Sequence, residues 1–299
     1  MYLIIQDVSI CQVKTLSGLN LLYFGSLLLH DNMILFPNAK INIGLNIISR
    51  RNDGYHNLET IFYPVEVKDA LEVIEAPSLE FTASGITIPG AATDNLCIKA
   101  WHLLAKDMKI PTVHIHLHKH IPIGAGLGGG SADAAFFIRL MNEKFNLGLS
   151  NDQMQDYARQ LGADCAFFIL NEPALAFEKG DHFSKIDLDL SAYYLVLVMP
   201  PVQVSTDEAY QNVQPKNPDK ALSELIQLPV ENWRDHIVND FETSVFKNHP
   251  SIRTIKSALY EAGALYASMS GSGSSVYGIF RNEVKLPELE QGNTVFYGV

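Results

Sequence analysis

Cysteine is scarce: three in 299 residues (Cys11, Cys97 and Cys165), far apart and without C-x-x-C spacing. That excludes a paired disulfide framework and a cysteine-rich zinc module, and predicts buried thiols in a reducing compartment. Positive charge is also short, with 22 Lys and Arg against 33 Asp and Glu and a formal net charge of −11. Nucleic-acid binders carry a basic footprint, so that class is disfavoured, and any anionic substrate must be held against the overall field. No run reaches the ~18 apolar residues that span a bilayer. Residues 19–29 come nearest, but Asn20, Gly25 and Ser26 break them. Neither a basic leader nor an Ala-x-Ala-like site marks a signal peptide, so the expected compartment is the cytoplasm, with no membrane partner. Internal repeats, low-complexity tracts and long linkers are missing as well.

What is present is the composition of a folded chain, 47% apolar and 18% charged, long enough for one large or two medium domains. Residues 1–32 stand apart, with Asp7, Lys14 and Asp31 as their only formal charges and no clear period. They read as an atypical extension whose place in the native protein is open, with Met33 as a candidate start. The expected division is 33–187 and 188–299, with the break near 185–192.

Alternation predicts strands over 34–48, interrupted near Pro37, and over 59–75, with Ile61, Tyr63, Val65 and Val67 on one face. Thr93-Asp94-Asn95 offers a helix N-cap, and 113–118 is a strand. A helix follows from Ser131 with Ala134, Ala135, Phe137, Ile138 and Met141 inside, then a second over 152–161 stopped by Gly162. The remainder reads as a buried strand (193–199), helices near 206–211, 220–227 and 251–262, and strands at 265–269 and 275–280. Strands and helices mix without β-α-β-α alternation, which favours α+β over a doubly wound sheet.

The most informative segment is Pro122-Ile123-Gly124-Ala125-Gly126-Leu127-Gly128-Gly129-Gly130-Ser131-Ala132. Five glycines in seven residues let the backbone take positive φ and turn its N–H groups inward. Ser131 is a natural cap for the following helix, whose N-terminus favours phosphate oxygens. A flexible turn is the plain alternative. The segment is no Walker A loop, because no Gly-Lys-[Ser/Thr] follows, and no acidic residue completes a dinucleotide-binding unit. His114, His116, His118 and His120 alternate on one strand face. Same-face neighbours lie about 6.6 Å apart along a strand, too far for one tetrahedral zinc, so an exposed polar face is the simpler reading.

The glycine loop resembles the P-x-x-x-G-L-G-[S/G]-S-[S/A]-A signature of the GHMP kinases, which phosphorylate small-molecule hydroxyls with ATP. Pro37-Asn38-Ala39-Lys40-Ile41-Asn42 is similar to that family's N-terminal strand. Ser268-Met269-Ser270-Gly271-Ser272-Gly273-Ser274-Ser275 is similar to its third motif. The resemblance implies a two-domain α+β fold, an N-terminal domain like ribosomal protein S5 domain 2 and a ferredoxin-like C-terminal one. Gly54-Tyr55-His56-Asn57-Leu58 and Leu161-Gly162-Ala163-Asp164, followed by an apolar strand, further resemble the branch acting on a cytidine diphosphate-linked methylerythritol.

The resemblance implies roles as well as a fold. Asp164 falls at the family's general base, and Lys40 would keep it ionised and offset developing negative charge. The segment 122–132 would hold the ATP phosphates, Asn95 and Lys119 the adenosine, and Ser131 a Mg²⁺ ion. Tyr55 and His56 would meet the cytidine diphosphate, Asn42 the erythritol, and Tyr210 would stack on cytosine or pack as core. Ala132 and Ala166 depart from the family's usual Ser and Pro without deleting a catalytic group. The only partner implied is a small-molecule substrate, with the chain a monomer or weak homodimer. A kinase for homoserine, mevalonate or a sugar, or a nucleotide-binding regulator without transfer activity, remains open.

Overall fold

A computed structural model describes residues 33–211 and 213–299. The expectations for 1–32, including Cys11, lie outside the described residues. Strands β1 (Met33–Leu35), β2 (Asn38–Arg50), β3 (His56–Lys68), β4 (Ala70–Glu75) and β5 (Glu80–Gly85) lead to helix α1 (Leu96–Asp107) and strand β6 (Val113–Lys119). Helices α2 (Gly129–Lys144), α3 (Asn151–Arg159) and α4 (Phe167–Leu170) precede β7 (Ala174–Glu178) and β8 (His182–Lys185). The rest runs β9 (Tyr194–Met199), α5 (Thr206–Tyr210), α6 (Leu222–Leu225), α7 (Glu242–Asn248), α8 (Pro250–Glu261), β10 (Tyr266–Met269), β11 (Val276–Phe280), α9 (Pro287–Glu290) and β12 (Thr294–Tyr297).

Three four-stranded sheets result, ordered β1-β4-β6-β5, β2-β3-β7-β8 and β10-β11-β9-β12. Every pairing is antiparallel except β5 with β6, as an α+β chain requires. The first sheet buries Leu71, Val73, Val113, Ile115 and Leu117 against α1 and α2. On β2 the period of two decides everything downstream. Ala39, Ile41 and Ile43 pack with Leu195, Leu197, Tyr266 and Ile279 of the third sheet, while Lys40 and Asn42 turn the other way into a cleft. Among the described residues no helix is long and apolar enough to cross a membrane.

Several expectations need correction. The run 59–75 is not one strand, because the chain breaks at Asp69 and β4 joins another sheet. Asp69 donates its N–H to Pro37 O at 2.8 Å and turns its carboxylate inward, which ends the alternation. Helix α2 begins at Gly129 rather than Ser131, capped by Gly128 in the left-handed region at φ 71°. Helix α3 opens with a capping box, Ser150 with Gln153, and ends at Arg159, so Gly162 is not its left-handed stop. The apolar stretch after Asp164 is the short helix α4, not a strand. His120 lies beyond β6, leaving His114, His116 and His118 on the strand. Thr82 and Ser84 of β5 bridge those three rings at 2.8–3.1 Å. Among the described residues no cluster of three or more His, Cys, Asp and Glu is placed to hold a metal.

Candidate active site

A cleft of about 970 Å³ is lined by the face of β2, the glycine loop, Asp164, and the segments around His56 and Tyr210. Its floor is the loop between β6 and α2. Gly124, Gly126 and Gly128 all take positive φ (71°, 76° and 71°). Gly128 thereby swings the chain into α2, and the free N–H groups of the first turn, Gly129 to Ser131, sit at the cleft wall. Ser131 lies in that turn rather than capping it. The neighbouring Cys165 thiol is pushed up to about 12 by burial, with a Ser131 hydrogen bond only partly opposing this, so it stays neutral. Cys97 is buried as well, and burial also raises its thiol.

Lys40 ties the loop to β2 twice. Its backbone N–H donates to Leu127 O at 2.9 Å, and its ammonium donates to Gly126 O at 3.2 Å. The same ammonium reaches Asn42 Oδ1 at 2.6 Å, Asp164 Oδ2 at 3.3 Å, and lies 4.7 Å from the Phe62 ring centroid. Its side chain is 4% exposed, whereas that of Asp164 is 32% exposed, so the carboxylate faces the cleft with one buried cation behind it. Asn42 is fully engaged, its amide donating to Thr60 Oγ1 at 3.0 Å and its backbone N–H to Ser270 Oγ at 3.2 Å. Ser270 in turn donates to Gly126 O at 2.8 Å, so the third motif clasps the loop from the opposite side.

Opposite the loop, His56 and Tyr210 stack with ring centroids 4.7 Å apart and planes 19° apart. Phe241 meets Tyr210 edge-on at 4.7 Å. Burial and the Arg50 charge lower the His56 imidazole, so it stacks as a neutral ring. Burial, then the Asp164 charge, raise the Tyr210 phenol. Tyr55 is 62% exposed at the rim, with Lys179 5.3 Å from its ring centroid.

The residues expected at the adenosine are differently employed. Asn95 caps α1, accepting from Cys97 N at 2.9 Å, while also lining the cleft. Lys119 lines it too, but its ammonium is 2.5 Å from Asp69 Oδ2 and 2.7 Å from Asp133 Oδ2. Those two aspartates escaped the sequence reading. Both are buried, and loss of water raises Asp133 above the usual carboxylate range despite the lysine. The readable signal was an Asp inside Ala132-Asp133-Ala134-Ala135, on a helix face otherwise apolar.

Comparison with known proteins gives the family. Residues 95–172 match the family described as GHMP kinases N terminal domain, and 218–293 match GHMP kinases C terminal. A 4-diphosphocytidyl-2-C-methyl-D-erythritol kinase of Bacteroides thetaiotaomicron is 53% identical, across 88% of this chain and 98% of that protein. The protein of the same name from Cytophaga hutchinsonii is 51% identical, across 88% and 96%. Among solved structures, a 4-(cytidine 5'-diphospho)-2C-methyl-D-erythritol kinase superposes with a TM-score of 0.75 at 29% identity, covering 89% of this chain and 98% of that one. A homoserine kinase from Cytophaga hutchinsonii superposes at 0.63 with 19% identity, across 93% and 97%, a likeness of fold alone.

Proposed function

The chain belongs to the GHMP kinases, and from that premise we propose that it phosphorylates the 2-hydroxyl of 4-diphosphocytidyl-2-C-methyl-D-erythritol with ATP, a step of non-mevalonate isoprenoid synthesis. The observation that carries this reading is the placement of Asp164. Its carboxylate stands beside Lys40 at the glycine loop and shares one cleft with the His56–Tyr210 stack.

Phosphoryl transfer asks the protein mainly for alignment and charge stabilisation. The loop's inward N–H groups and the α2 terminus hold the phosphates where cationic side chains are few. Asp164 takes the hydroxyl proton as the oxygen attacks, and Lys40 steadies that carboxylate and the charge building on the transferred group. Asn42 orients Lys40 from its other side. Tyr55, His56 and Tyr210 form the cytidine end of the cleft, with the base laid against the His56–Tyr210 pair. The donor set suits magnesium held mostly by phosphate and water, because Ser131 offers one hydroxyl at the cleft wall. Bound there, the ion would neutralise phosphate charge. Free buried thiols at Cys97 and Cys165 fit a cytoplasmic protein.

A substrate panel tests the reading. With ATP, the purified protein is expected to phosphorylate the cytidyl substrate and to leave homoserine and mevalonate unchanged; the reverse pattern would overturn it. Tyr210→Ala carries a sharper expectation. Losing ~1–3 kcal/mol of stacking should raise KM for the cytidyl substrate about 5- to 150-fold, with KM for ATP held. Equal rises in both KM values would move Tyr210 out of the base site and into the core.

A further inference from the structure

Asp69 is 1% exposed, between β3 and β4, in a place where phosphoryl transfer itself needs no carboxylate. All its bonds lead to the glycine loop or to the strand bearing Lys40. Oδ1 accepts from His120 N at 2.6 Å and Ile121 N at 2.7 Å, the last two residues before Pro122. Oδ2 accepts from Lys119 Nζ at 2.5 Å, and the same ammonium reaches Asp133 Oδ2 at 2.7 Å, just inside α2. Its own N–H donates to Pro37 O at 2.8 Å, immediately before β2. The ends of the loop are also packed together: a Cβ on Gly129 would come within 2.7 Å of Ile121 Cγ2 and 3.0 Å of Lys119 Nζ.

We propose that Asp69 is a positioning residue for the nucleotide loop, fixing its entry through His120 and Ile121 and its exit through Lys119 and Asp133. A loop rich in glycine has little stiffness of its own, so its N–H groups converge on phosphate only if both ends are fixed. The buried Ile121 N–H also demands an acceptor, and here one carboxylate oxygen serves it together with the partly buried His120 N–H. Removing it leaves His120 and Ile121 to seek another partner, and that shift passes directly into Pro122 and the residues after it.

The inference rests on the kinase reading, so the two must fail separately. Wild-type turnover of the cytidyl substrate tests the reading; variants of Asp69 then test the inference. Asp69→Ala leaves Lys119 paired with Asp133, so no buried cation is stranded. KM for ATP is expected to rise about tenfold, with KM for the cytidyl substrate unchanged, as misplacement of the phosphate cradle predicts. Asp69→Asn keeps an oxygen for the two N–H groups and gives up only the Lys119 bond, since its NH2 cannot accept and Lys119 stays with Asp133. It should therefore rescue most of that rise, to about threefold or less. A merely structural role would lower the active fraction and hence kcat, leaving KM for ATP alone. Wild-type KM for ATP in Asp69→Ala, or an equal rise in both variants, would overturn the proposal. If Asp69→Ala does not fold, Asp69→Asn decides: a small rise confined to KM for ATP supports it, and a fall in kcat alone overturns it.

Discussion

Asp164→Asn is expected to lower kcat by ~10²–10⁴-fold while ATP still binds, the loss typical of removing a general base. The amide matches the carboxylate in size and shape but cannot take the hydroxyl proton. ATP binding should survive because the phosphate cradle is built from loop N–H groups and the start of α2, to which Asp164 contributes nothing. Lys40 also keeps its place, since Asn42 Oδ1 at 2.6 Å and Gly126 O at 3.2 Å hold the ammonium without Asp164. Single-turnover phosphorylation of the cytidyl substrate, beside calorimetric titration with a non-hydrolysable ATP analogue, separates the two effects. Turnover at the wild-type rate would remove Asp164 from the base role. Loss of nucleotide affinity in step with turnover would instead make it part of the cradle.

The resemblance pairs Lys40 with Asp164, and β2 shows why Lys40 faces the cleft where Asp164 stands. Strict alternation across Ala39-Lys40-Ile41-Asn42-Ile43 assigns the aliphatic residues to the core and the polar ones to the other face. That is local information, and the strand obeys it. Alternation equally carried 59–75 through Asp69 as one strand, because nothing local marks the point where β4 leaves for another sheet. The sheet change is enforced at long range, by the captured N–H groups of His120 and Ile121. Gly162 misled for a related reason. A glycine after a helix is the usual stop, but Gln160 closes α3 in right-handed geometry and Gly162 N reaches Ala158 O at 3.3 Å without a left-handed residue.

The site divides the same way. Its contiguous parts were legible: the loop, Lys40, Asp164, and the Tyr55–His56 turn each sit in a short motif. Its assembled parts were not. The resemblance puts His56 and Tyr210 both at the cytidine end, but their direct stack joins β3 to α5, and the Asp69–Lys119–Asp133 cluster joins three elements, so neither contact leaves a spacing to read. Lys119 shows the consequence. Its position matched the expectation of a cleft residue, but its charge belongs to two buried carboxylates. With net charge −11 and that lysine engaged, the proposed site would leave the phosphates to backbone N–H groups and Lys40.

That dependence makes Gly126→Ala the most damaging single methyl group in the loop. At φ 76° any Cβ is strained, which costs about 1–2 kcal/mol alone. Here it would also run into the carbonyl oxygen of Ser270, with Gly273 O only 3.1 Å away. Both obstacles are backbone, so no rotamer relieves the clash, and the loop must part from the third motif. Separation breaks the Ser270 bond to Gly126 O at 2.8 Å and the Lys40 bond at 3.2 Å. Displacing a phosphate cradle by about 1 Å is worth ~10²-fold, and kcat/KM for ATP should fall at least that far. Gly148→Ala, between α2 and α3 and away from the cleft, supplies the control. Its φ of 71° carries the same strain, yet a Cβ there meets nothing within 4 Å. The control should melt slightly early and keep most of its activity. Comparing the two by thermal melting and by kcat/KM for ATP therefore isolates the contact with Ser270. Equal losses in both variants would assign the whole effect to backbone strain and leave the third motif without a part in shaping the loop.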